Sequence, residues 1–286
     1  MTSPRFALAF LPALAIAAVG FSDDKKPDPK SALKGQAAED VVRLKREVDA
    51  LETLYHLEPT AAQLNGLLAL AQKTAAKPAA AKTASASADH RKTLQDLRAA
   101  LVKNDEAKVA TLFQKLSELE ENDPIEIEDE FDLTDAAIKV APQALKLITA
   151  AQIVSYLAAM ENEVPDPVER VAATLIEGED LPANEWKSLR DETASEIAWL
   201  VHGFNSPAEK GTVKSVTALL DRGHAFKGEN LTKEIPGLEA AAKKLVGSAG
   251  PIVVLQHYME RELAEFLSNP RAVVALKARI EQLKKE

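Results

Sequence analysis

Metal chemistry on helices starts from histidine and carboxylate at spacings of three or four, because such residues share a face and can converge on one ion. The chain has five histidines, His56, His90, His202, His224 and His257, and no two are close enough in sequence to share a helix face. Two have an acidic neighbour at a suitable distance: Glu52 precedes His56 by four residues and Glu260 follows His257 by three. Two such pairs on separate helices would hold a metal if the fold brought them together. Simple ion pairs on exposed helices have the same spacing. One pair lies near the amino terminus and the other in a charged helix, so the ion-pair reading is preferred. No metal or cofactor is assigned, and His257 and Glu260 stay as weak metal candidates.

A second group of potential ligands runs from Asp123 to Asp135 and includes Glu126, Glu128, Asp129, Glu130 and Asp132, with no Lys or Arg between Lys115 and Lys139. Oxygen-rich loops bind calcium, but the glycine that gives an EF-hand loop its sharp turn is missing. Ile125, Ile127 and Phe131 interleave with the acids, as in an extended stretch that lays apolar side chains on the body and turns carboxylates to water. Asp129 and Asp132 are therefore weak cation candidates at most. The piece Asp129-Glu130-Phe131-Asp132 is similar to the aspartate-rich magnesium motifs of helical prenyl-diphosphate enzymes, but differs at its second position and lacks their partner motif.

Nucleophile motifs are missing. Gly247-Ser248-Ala249-Gly250 is no strand-turn-helix elbow, since its glycines more simply end one helix and precede the Pro251 start of another. Gly211-Thr212-Val213-Lys214-Ser215 has neither the first glycine nor the preceding strand of a phosphate loop. Cysteine is absent, which removes disulfides, thiolate ligands and a cysteine nucleophile together. No catalytic residue is assigned.

The elements that would position any site are helices. Hydrophobic residues make up 46% of the chain and aromatics 5%, with alanine prominent, a composition that favours helices over strands. The fold expected is all-α, an irregular bundle or solenoid-like array of about a dozen helices with an amino-terminal helical hairpin. In the hairpin, residues 37–73, Val41, Leu44, Val48, Leu51 and Tyr55 form one stripe, and Thr60 with Gln63 reads as a capping box opening the second helix. Residues 74–88 hold no large apolar side chain and read as a linker to a body over 89–286. Pro142 is expected to open a central helix running to about Met160. Ser206 is expected to cap a helix ending at Gly223, and a short piece to start near Pro236. The last helix, with Val273, Leu276, Ile280 and Leu283 at matching spacing, is the expected internal mate of the first stripe.

Upstream, Phe6 to Gly20 is an apolar run behind Arg5, with small residues at Ala18 and Gly20. Residues 1–20 thus read as a secretory signal, too short to span a membrane, followed by a flexible leader over 21–36. The chain has 35 Lys and Arg against 44 Asp and Glu, and losing Arg5 with the signal leaves 34 against 44, a net charge of −10. Nucleic acid and anionic membrane surfaces are excluded as partners on this balance.

One resemblance bears on function. Leu57-Glu58-Pro59-Thr60-Ala61-Ala62-Gln63 is similar to the Leu-Thr-x-x-Gln signature of small periplasmic helical stress proteins, the Spy and CpxP group. Thr60 and Gln63 carry the match, and Pro59 stands where leucine belongs; a capping box explains the spacing without kinship, so no family is claimed. The function expected is an exported, non-enzymatic scaffold, adaptor or binding protein of the bacterial envelope, with a protein partner or self-association through the Val41 to Tyr55 stripe. A periplasmic chaperone and a helical enzyme with an unrecognised site are the alternatives.

Overall fold

The computed structural model describes residues 29–76, 86–122, 133–160, 164–204, 206–247 and 249–285, with side chains from Asp40 onward. These residues form twelve helices and no strand: α1 (Pro29–Leu57), α2 (Ala61–Thr74), α3 (Ala88–Lys103), α4 (Glu106–Asn122), α5 (Asp135–Leu145), α6 (Ala150–Ala159), α7 (Pro167–Glu177), α8 (Ala183–His202), α9 (Glu209–His224), α10 (Glu229–Val246), α11 (Pro251–Ser268) and α12 (Ala272–Leu283). None is long and apolar enough to cross a membrane.

Local chemistry sets most boundaries. Asp166 accepts from the amides of Val168 and Glu169, with Pro167 in the first turn of α7. Thr134 caps α5 and Thr60 closes its capping box with Gln63 on α2. Asn104 turns α3 into α4 at φ +56°, a left-handed conformation asparagine tolerates. Three expectations fail. Pro142 lies inside α5, and the continuous helix to Met160 breaks at 146–149, where Thr149 and Gln152 form a second capping box that starts α6. That segment is peripheral, since Tyr156 alone of α6 is fully buried and Val154 is 64% exposed. Pro236 sits within α10, and α9 begins at Glu209 without a side-chain cap, running through Gly223 to His224.

The two capping boxes carry the same four residues, Thr60-Ala61-Ala62-Gln63 and Thr149-Ala150-Ala151-Gln152, and they interlock. The Gln63 amide donates to Leu147 O and to Gln152 Oε1 at 2.9 Å; the Gln152 amide donates to Glu58 O at 3.1 Å and Gln63 Oε1 at 3.1 Å. Each glutamine thus reaches the carbonyl two residues before the other's cap threonine, a local two-fold arrangement.

Buried side chains gather into two main cores. The first joins α1 to α6 with α11 and α12, around Leu51, Leu54, Leu67, Leu94, Leu97 and Leu276. The second is confined to α7 through α10, around Leu175, Ile197 and Leu220. A small cluster of Trp199, Leu200 and Val254 joins α8 to α11 between them. Helix α1 packs on α3, α6 and α12, and α12 packs on α2 as well, so residues 37–73 share a core with the helices that follow. The start of the alanine-rich connection is pinned: Thr74 Oγ1 donates to Leu267 O at 3.0 Å, and Ala76 N to Ser268 O at 2.9 Å. Its residues 77–85 lie outside the described residues, as do residues 1–28, which hold the expected signal and the first part of the expected leader; residues 29–36 of that leader are helical and belong to α1.

Candidate functional site

Helix α1 carries Glu47 on the side facing α3 and the start of α12. Its carboxylate is 4% exposed and is gripped at both oxygens: Arg98 Nε donates to Oε1 at 2.7 Å and Arg271 Nη2 to Oε2 at 2.6 Å. A buried carboxylate demands such partners, and charge-assisted bonds of this length are the strong ones. Behind them Asn269 Nδ2 donates to Arg46 O at 2.9 Å, which fixes the approach of α12 to α1. Around this group opens a recess of about 390 Å³, lined by Asp40, Arg43, Leu44, Glu47, Arg91, Gln95 and Arg271. That volume lies in the range of small-ligand sites. The Nε of Arg271 is buried and meets no hydrogen-bond acceptor. The lining is dominated by donors.

A larger groove of about 650 Å³ lies between α3 and α4, walled by Ala99, Ala100, Ala107 and Leu112. At its rim Lys108 and Asp105 already pair with each other at 2.6 Å. It offers less to a charged ligand.

A different face of α1 carries Lys45, Asp49, Glu52 and His56. Lys45 Nζ lies 3.3 Å from Asp49 Oδ1, and His56 Nε2 4.0 Å from Glu52 Oε1. Burial, reinforced by the charges of Asp49 and Glu120, pushes Glu52 up to about 7. Burial also lowers the pKa of His56, whose ring stacks on Phe113 with centroids 6.4 Å apart. On α11, His257 Nδ1 donates to Leu200 O at 2.8 Å and packs beside Gly203, where the backbone turns at φ +73°. A Cβ at Gly203 would lie 3.0 Å from His257 Nε2, so the glycine makes room for the ring. The neighbouring carboxyl of Glu260 is raised by burial.

The two histidine pairs do not converge. Among the described residues no three or more His, Cys, Asp or Glu could hold a metal ion together. Asp129 and Asp132 lie outside the described residues. The α1 stripe is occupied from within: Val41, Val48 and Leu51 are buried in the first core, and Leu44 and Tyr55 pack against it. Leu44 also walls the recess.

Sequence reasoning passed over Glu47, Arg98 and Arg271, which are separated by 51 and 224 positions. The local signal was present, in the polar residues Arg91, Gln95 and Arg98 that share one face of α3 at spacings of four and three. It also missed the contact of Tyr156 with Glu262, at 2.8 Å between α6 and α11, where burial raises the carboxyl. Compared with known protein families, curated proteins and solved structures, the chain matches none.

Proposed function

We propose that this chain is a non-enzymatic binding protein of the bacterial envelope, exported behind residues 1–20, and that it holds a protein partner at the recess between α1, α3 and α12. The observation that carries this reading is the full engagement of Glu47 by Arg98 and Arg271 inside an open, donor-rich recess. A carboxylate with both oxygens held by guanidinium groups is a poor general base. The arginines around it are suited to holding a ligand. Histidines elsewhere support the same reading. His257 is committed to Leu200 O, His224 donates to Gly178 O at 3.0 Å while stacking on Trp186, and His202 pairs with Thr212 at 2.8 Å. These contacts fix helices in place.

A chaperone working through an apolar groove finds less support. The large exposed apolar side chains among the described residues are Val154, Ile176 and Ile252, on three different helices. The test of the binding reading is affinity isolation from the native envelope with the mature protein and with an Arg43→Glu/Arg91→Glu variant of matched melting temperature. The reading expects a partner held by the first and released by the second. Equal retention by both places the contact elsewhere and refutes it.

A further inference from the structure

Helix α11 serves two different neighbours with two faces. Met259, Leu263, Phe266 and Leu267 fill the first core, whereas Val254, His257 and Arg261, at spacings of three and four, meet α8. Helix α8 is divided in the same way. Trp186, Leu189, Ile197 and Val201 fill the second core, and Trp199 and Leu200 in its last turn meet α11. The two main cores share no buried side chain, and among the described residues α8 against α11 is the one helix pair that packs extensively across their boundary. Three buried side chains, Trp199, Leu200 and Val254, make up the cluster there, with Ala249 and Tyr258 at its margins. Two separately packed bodies joined through so small an interface move relative to each other unless that interface is large and apolar.

We propose that α7 to α10 pivot as one body on α11, and that the contacts of His257 and Arg261 with the end of α8 are a latch that opens while both main cores stay closed. The latch is of a kind that water can replace. Leu200 O belongs to the last turn of α8, where carbonyls have no partner within the helix, and His257 Nδ1 supplies one at 2.8 Å. When the latch opens, water can satisfy both groups. The guanidinium of Arg261 lies 4.9 Å from the centre of the Trp199 ring, a contact of modest strength, and it stays paired with Glu265 on its own helix at 2.8 Å. Trp199 stacks on Phe204 of its own body at 5.7 Å, so the aromatic pair travels together. Gly247 ends α10 at φ +66°, a conformation that glycine adopts without strain, where the chain leaves the second body for α11.

The chain has no cysteine, so introduced cysteines carry spin labels at chosen sites. In the full mature protein, Val154→Cys on α6 and Ile176→Cys on α7, both exposed positions, report the distance between the bodies. Val154→Cys with Lys115→Cys, and Ile176→Cys with Lys214→Cys, each lie within one body and serve as folding controls. Dipolar distance measurement should give a single narrow distance within each body and, across the boundary, a main distance with a minor second population. In an Arg261→Gln/His257→Ala background that second population should grow about tenfold or more, the scale of a lost hydrogen bond and a lost cation–π contact together. Arg261→Lys/His257→Asn keeps a cation over the ring and a donor near the place of Nδ1, and should restore the wild-type distribution. A cross-boundary distribution unchanged by Arg261→Gln/His257→Ala overturns the proposal, because the two cores then form one rigid body. Broadening of either pair within a body overturns it too, since the contacts would then be holding a core together. If Arg261→Lys/His257→Asn opens as far as the full loss, these two side chains are not the latch.

Discussion

Replacing Gln63 and Gln152 by alanine, singly and together, tests the interlocked capping boxes at the meeting of α2 and α6. Gln63 accepts from Thr60 N at 2.7 Å, donates to Leu147 O and Gln152 Oε1, and accepts from the Gln152 amide. Gln152 accepts from Thr149 N at 3.0 Å and also donates to Leu57 O at 3.0 Å. A net hydrogen bond contributes about 0.5–1.5 kcal/mol, and water replaces the exposed capping bonds at Thr60 and Thr149. Each single substitution should therefore cost about 2 kcal/mol, a fall of about 4–8 °C in melting temperature for a chain of this size. The two bonds between the glutamines are lost in either single variant, so the double should cost about 3 kcal/mol, a coupling of about 1 kcal/mol. Urea unfolding at constant slope measures all three. Strict additivity, with coupling below about 0.3 kcal/mol, would show two independent caps and refute the lock.

Glu52 gives a pH signature. Its folded pKa of about 7 lies above the unfolded 4.5, so its favourable contribution is complete below pH 4.5 and is lost as pH rises through 7. Glu52→Gln, leaving Lys45, Asp49, His56 and Glu120 in place, should be about 1–2 kcal/mol more stable than the wild type at pH 8 and equal to it at pH 4, measured by chemical denaturation. Gly223→Ala should destabilise by about 1–2 kcal/mol despite the better helix former, because the new Cβ would meet Leu175 Cδ1 at 2.5 Å in the second core; a thermal shift upward would contradict this. Leu51→Glu puts a charge at a fully buried position shared by α1 and its neighbours. It should cost about 4 kcal/mol or more and open the whole first core to protease. Release of residues 37–73 alone, with α3 and α12 still protected, would mean that the amino-terminal helices form a separate unit.

Helices, caps and faces were legible in the sequence because they depend on neighbours within a turn. Alanine content and spacings of three and four indicate the all-α class, and Thr60 with Gln63 or Asp166 with Pro167 mark helix starts by contacts over two to three residues. The stripe of Val41, Val48 and Leu51 declared itself buried, and Leu276 was its expected mate; both lie in the first core. The break between α5 and α6 was missed because apolar residues on all sides suggested continuity, while the second capping box, Thr149 with Gln152, ended it locally. What only the tertiary structure decided is which of many similar charged residues meet. Glu47, Arg98 and Arg271 are ordinary surface types in sequence, and Glu47 becomes a buried carboxylate held at both oxygens because the start of α12 returns to α1 more than two hundred residues later. Periodicity reports which face of a helix is covered; the identity of the covering side chains depends on contacts over long sequence distances, which local pattern does not encode.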